Sequence, residues 1–127
     1  MTQNVINGNG LAVVAFSSGV ISGKTVGGTL LTTAAPQNFI PTQLIITLAG
    51  VSLLTTPCTI ALGSTVGGTD IMAPVLVTGL AILNNVTVTL LSTTKMIAAG
   101  TPIYANVTIA ALATTFNLRV SLVGINI

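Results

Sequence analysis

The chain has 127 residues and a mass of 12.7 kDa, enough for one domain with a buried core; 51% of its residues are hydrophobic and only 3% are charged. That balance excludes disorder driven by charge and low hydrophobicity. Lys24, Lys95, Arg119 and Asp70 are the charged side chains, and His, Glu and Trp do not occur, so no catalytic acid-base machinery, cofactor site or protein-only metal site is expected. The formal charge of +2 comes from cations scattered at positions 24, 95 and 119. They make no basic patch, and a nucleic-acid partner is not expected.

Taken in chain order, Met1 to Gly10 has no basic residue ahead of the apolar stretch Leu11 to Phe16. No secretory signal is read there, and residues 1–10 stand as a candidate N-terminal arm. Leu11 to Phe16 is the first expected strand, and Ser17 to Gly28 the first loop. Within that loop, Gly19-Val20-Ile21-Ser22-Gly23-Lys24-Thr25 is one residue too short between its glycines for a phosphate cradle. It also lacks a following helix N-terminus, and reads as a plain loop. Its Gly-x-x-x-Gly spacing sits beside Ser22 and Lys24, outside any apolar helix.

Thr32 to Asn38 is a second loop, and Gln43 to Ala49 and Cys58 to Leu62 are the next strands. Residues 25–69 carry no charge, so hydropathy alone would allow a membrane span at Gln43 to Gly63. Against a helix there stand Thr47, Ser52, Thr55, Thr56, Thr59 and the internal Pro57, with no basic residue at either flank to set an orientation. Cys58 is the sole cysteine and has no nearby base. It reads as a buried, inert thiol.

Gly63 to Thr69 is the next loop. Its Thr65-Val66-Gly67-Gly68-Thr69 echoes Thr25-Val26-Gly27-Gly28-Thr29, but the flanking residues differ, which points to similar turns and not to a repeat array. Asp70 closes this loop as a turn residue. Ile71 to Val77, interrupted by Pro74, and Asn85 to Leu91 are further strands, the second preceded by the Asn84-Asn85 turn. Thr87 and Thr89 are expected to point outward, opposite Val86, Val88 and Leu90.

Beyond the loops Thr93 to Met96 and Gly100 to Pro102, alternation is clearest. Ile103, Ala105, Val107 and Ile109 share one face, and Tyr104, Asn106 and Thr108 the other. In the last strand Phe116, Leu118, Val120 and Leu122 point inward and Asn117, Arg119 and Ser121 outward. The apolar phase then slips to Val123, Ile125 and Ile127, with Gly124 as the expected bulge or bend. The sequons at Asn85 and Asn106 lapse without a secretory signal.

With 21 Thr and 13 Gly beside many Val and Ile, and no helical period of adequate length, the class is all-β: a β-sandwich, jelly-roll-like, spanning 1–127 as a single domain. Four charged side chains are too few to solvate such a surface. An obligate homo-oligomer, expected as a trimer, follows from that shortage.

Two passages carry a resemblance. Cys58-Thr59-Ile60-Ala61-Leu62-Gly63-Ser64-Thr65 followed by Asp70-Ile71 is similar to a strand, Gly-Ser/Thr loop and Asp-Ile/Leu passage of the small jelly-roll domains in tailed-bacteriophage structural proteins. Gly100 to Thr108 followed by Ala113 to Gly124 resembles the closing hairpin of those domains. The resemblance spans roughly residues 39 to 127. It implies a virion structural protein, made in the host cytoplasm and carried in the virion, foremost a head decoration (cement) protein bound to the major capsid protein. A tail-tip or receptor-binding knob is the alternative, set behind because Tyr104 and three Phe offer little platform for stacking sugars. A small membrane protein is the alternative of another class, and an enzyme is not expected.

Overall fold

In a computed structural model, residues 2–6, 12–53, 55–77, 86–90 and 96–127 are described, and their regular structure is entirely β. One sheet carries, in spatial order, β1 (Thr2–Ile6), β2 (Ala12–Ser17), β10 (Thr115–Asn126), β5 (Phe39–Ser52) and β8 (Val86–Leu90), with the short β3 (Ile21–Ser22) also paired to β10. The second sheet holds β4 (Gly27–Thr32), β9 (Ile103–Ile109), β6 (Thr59–Gly63) and β7 (Met72–Leu76). Every strand pairing is antiparallel. The protein is a β-sandwich.

Its connectivity is nested. With β1 and β3 set aside, β2 pairs with β10, β4 with β9, β5 with β8 and β6 with β7. The chain thus forms one long hairpin, turning between β6 and β7, whose two arms are rolled so that successive pairs fall in alternate sheets. Side chains alternate across each strand. Val14 and Phe16 from β2, Leu44, Ile46 and Leu48 from β5, and Phe116, Leu118, Val120 and Leu122 from β10 meet Leu31, Ile60, Leu62, Ile103, Ala105 and Val107 of the second sheet in one core cluster. Phe16 and Phe39 pack edge to face, with ring centroids 5.1 Å apart.

The inward row of β10 does not slip after Leu122. Gly124 and Asn126 continue it as buried positions, while Val123 and Ile125 stay half-buried on the outer face. The register shifts fall instead on β5, where Thr42 and Ala49 are skipped between successive partners of β10. One of the two shifts does lie between Val123 and Gly124, where a bulge was expected, but the extra residue is Thr42 on β5 and the expected phase slip of β10 does not occur. The bulges let β5 change phase twice, so that Phe39 and Pro41, then Leu44, Ile46 and Leu48, then Val51 all reach the core side. Gly124 is small for a different reason: a Cβ there would collide with the carbonyl oxygen of Ile40 and the ring of Phe39.

Prolines fall where a missing N–H is harmless. Pro41 lies beyond the part of β5 paired to β8, which runs from Gln43 to Thr47, and Pro74 lies in the edge strand β7. Strand β4 occupies a stretch expected to begin as loop, and β1 lies within the stretch taken as a candidate arm. Asn84, Asn85, Lys95 and the side chains of Thr87 and Thr89 lie outside the described residues, and with them the expectations that rested there. Among the described residues no helix is long and apolar enough to cross a membrane; the segment Gln43 to Gly63 contributes instead to β5 and β6.

Candidate functional site

Three loops meet at one end of the sandwich. The backbone N–H of Ala111 donates to Gly23 O at 2.7 Å, those of Thr55 and Thr56 donate to Leu112 O at 2.7 and 3.2 Å, and that of Thr114 donates to Ser52 O at 3.0 Å. Lys24 adds a side-chain bond from Nζ to Thr114 O at 2.9 Å. The loops that follow β3, β5 and β9 are thereby laced into one surface. Beneath it, the fully buried Phe116 and Cys58 lie against Gly23, which leaves no room there for a side chain.

Among the exposed Lys24, Thr55, Thr56 and Thr114, that laced end also exposes large apolar side chains. Leu53 is 80% exposed, Leu112 63% and Ile109 62%. Leu53 also sits at φ 50°, the left-handed region in which a non-glycine residue is strained. Ile109 falls in the inward row of β9 by alternation, yet it stands exposed, because the pairing with β6 skips Thr108 and the strand changes phase before Ile109. Large apolar side chains exposed on the laced loops and at the end of β9, one of them on a strained backbone, suit contact with another macromolecule.

At the other end a carboxylate organises the loop. Asp70 Oδ1 accepts from the backbone N–H of Ser64 at 2.9 Å and Oδ2 accepts from Ser64 Oγ at 2.7 Å, so the one side-chain carboxylate ties the β6–β7 loop into a ring, as expected of a turn residue. Ser64, Asp70, Ile71, Met96, Ile97 and Thr101 border a pocket of about 190 Å³. The loop folds back over the outer face of the second sheet, where Asn106 Nδ2 donates to the carbonyls of Thr65 and Gly68 at 3.1 and 2.8 Å. Asn106 is consequently 0% exposed, although alternation assigns it to the outward side of β9.

The two Thr-Val-Gly-Gly-Thr segments are not alike in structure. Gly27 and Gly28 open strand β4, whereas Gly67 turns at φ +79°, but the segments touch, with Val66 lying over Gly28. Cys58 is fully buried, and burial pushes its thiol up to about 11 against a smaller opposing backbone hydrogen bond. It is therefore protonated and shielded at neutral pH. No group of His, Cys, Asp or Glu able to hold a metal occurs among the described residues.

The exposed leucines were not identified in advance as a functional surface, because in the sequence they look like core residues; only the loop lacing distinguishes them. Compared with protein-family models, with curated proteins and with solved structures, the chain matches none.

Proposed function

We propose that this chain is a virion structural protein with a jelly-roll fold, serving as a head decoration (cement) protein that binds the outside of a bacteriophage capsid as a homotrimer. The observation that carries the reading is the nested pairing β2–β10, β4–β9, β5–β8 and β6–β7, which alternates between the two sheets. A long hairpin rolled in this way supports the jelly-roll reading, an architecture used in capsid domains. Fold alone does not decide function. Further support comes from a surface with almost no charge and from the laced end bearing Leu53, Ile109 and Leu112. Such a surface suits permanent burial between copies and against a shell better than free diffusion.

Co-sedimentation tests the proposal. The chain should pellet with intact particles from the cells that make it, be released by mild denaturant, and rebind to the stripped particles. A chain that stays in the supernatant or in the membrane fraction overturns the reading.

A further inference from the structure

On the outer face of the first sheet, the ladder beside β10 is interrupted. Strand β2 ends where Ser17 faces Ser121, and β3 resumes only where Ile21 faces Leu118. Between them the chain swings away, and Ser18 bridges the gap: its backbone N–H donates to Val120 O at 2.8 Å, while its Oγ accepts from the Val120 N–H at 2.9 Å and donates to Gly19 O at 2.7 Å. The gap leaves a shallow pocket of about 180 Å³ bordered by Ser17, Ser18, Ile45, Thr47, Arg119 and Ser121.

Arg119 is exposed, and its strand neighbour on β5 is Thr47. Among the described residues no hydrogen bond or ion pair engages its guanidinium, and Asp70 is committed to Ser64 in the loop of the opposite sheet. Ser17 Oγ and Ser121 Oγ lie 3.0 Å apart. Since one of these hydroxyls donates to the other, the pair retains a free proton to offer outward. Ser18 has given its one hydroxyl proton to Gly19 O and serves as wall.

The pocket thus gathers a cationic fork, one free hydroxyl proton from the serine pair and the Thr47 hydroxyl, with no acidic group. Ile45 borders it, and the half-buried, uncharged Val123 and Ile125 continue the same face along β10. We infer that this pocket is a carboxylate-binding site that receives an acidic side chain, flanked by apolar residues, from a partner protein. A guanidinium grips a carboxylate with two parallel hydrogen bonds, and the apolar side chains beside the pocket suit the residues that flank the acid. The site belongs to the chain itself, so its test does not require the capsid reading to hold.

The test is amide NMR on the full chain, titrated with a blocked peptide carrying one glutamate between two valines, its glutamine counterpart, and inorganic phosphate. The glutamate peptide should shift the amides of Ser17, Thr47, Arg119 and Ser121 saturably, with a Kd on the order of 10 mM. The glutamine peptide should not. R119Q should weaken binding at least about tenfold and R119K substantially, because a lysine loses the fork, whereas K24Q, with the same change of charge at the laced end, should leave it unaltered. Equal binding of both peptides, equal loss in R119Q and K24Q, or saturation by phosphate without the glutamate peptide overturns the inference.

Discussion

Asn106 on β9 and Gly68 in the β6–β7 loop are joined by a 2.8 Å hydrogen bond from Nδ2 to the carbonyl oxygen, and the same amide also holds Thr65 O. A polar side chain thus replaces strand pairing as the means of pinning a loop to a sheet face. N106A removes both bonds and leaves two loop carbonyls with one partner fewer. The expected loss is about 1–3 kcal/mol in chemical denaturation. Amide hydrogen exchange should accelerate at Thr65 to Thr69 more than in β9. Unchanged exchange in the loop would show that Asn106 does not hold it.

Gly124 and Phe39 make a second close approach, across β10 and β5. G124A forces a methyl group against the Phe39 ring and the Ile40 carbonyl, and the neighbouring Phe16 ring limits how far Phe39 can retreat. A loss of about 1–3 kcal/mol is expected from such overpacking. The measurement is the denaturation midpoint, and a variant as stable as the parent would mean that the strands separate freely here.

The strands with clean alternation were legible in the sequence. Ile103 to Ile109 coincides with β9, and the inward set Phe116, Leu118, Val120 and Leu122 is buried in β10. What escaped has physical reasons. Strand β4 begins with two glycines, which carry no hydrophobic pattern, and β3 has only two residues. The phase of β10 was misread because Gly124 and Asn126 are not apolar, although the inward row passes through both. Asn106 is buried by a loop whose return depends on bonds reaching 38 and 41 residues along the chain, beyond what periodicity can report. The exposed Leu53 and Leu112 were hidden for the opposite reason: composition marks them as core.

Leu118 and Asn117 are adjacent residues with opposite fates, one 0% exposed and the other half-buried on the outer face. L118A should cost about 2–5 kcal/mol through the cavity it opens. N117A should stay within about 0.5 kcal/mol. Thermal or denaturant unfolding of both variants checks the pair, and equal effects would contradict the inward row of β10.

The Cys58 thiol has a folded pKa near 11, raised by burial from an ordinary value of 9.0. The folded state therefore favours the neutral thiol. Its contribution to stability is complete below pH 9 and is lost as pH climbs toward 11. Comparison with C58A isolates this contribution: the parent should lose stability relative to C58A across that window. Thiol-reactive dye at pH 8 should label the folded chain far more slowly than the unfolded one. Rapid labelling of folded protein would place Cys58 at the surface.

The central claim is that the chain decorates the outside of a phage head, and antibody labelling of purified particles in negative stain tests it most directly. The account predicts label distributed over the outer surface of the heads. Label confined to tail tips, or particles that carry none while the chain is abundant in the same cells, would contradict it.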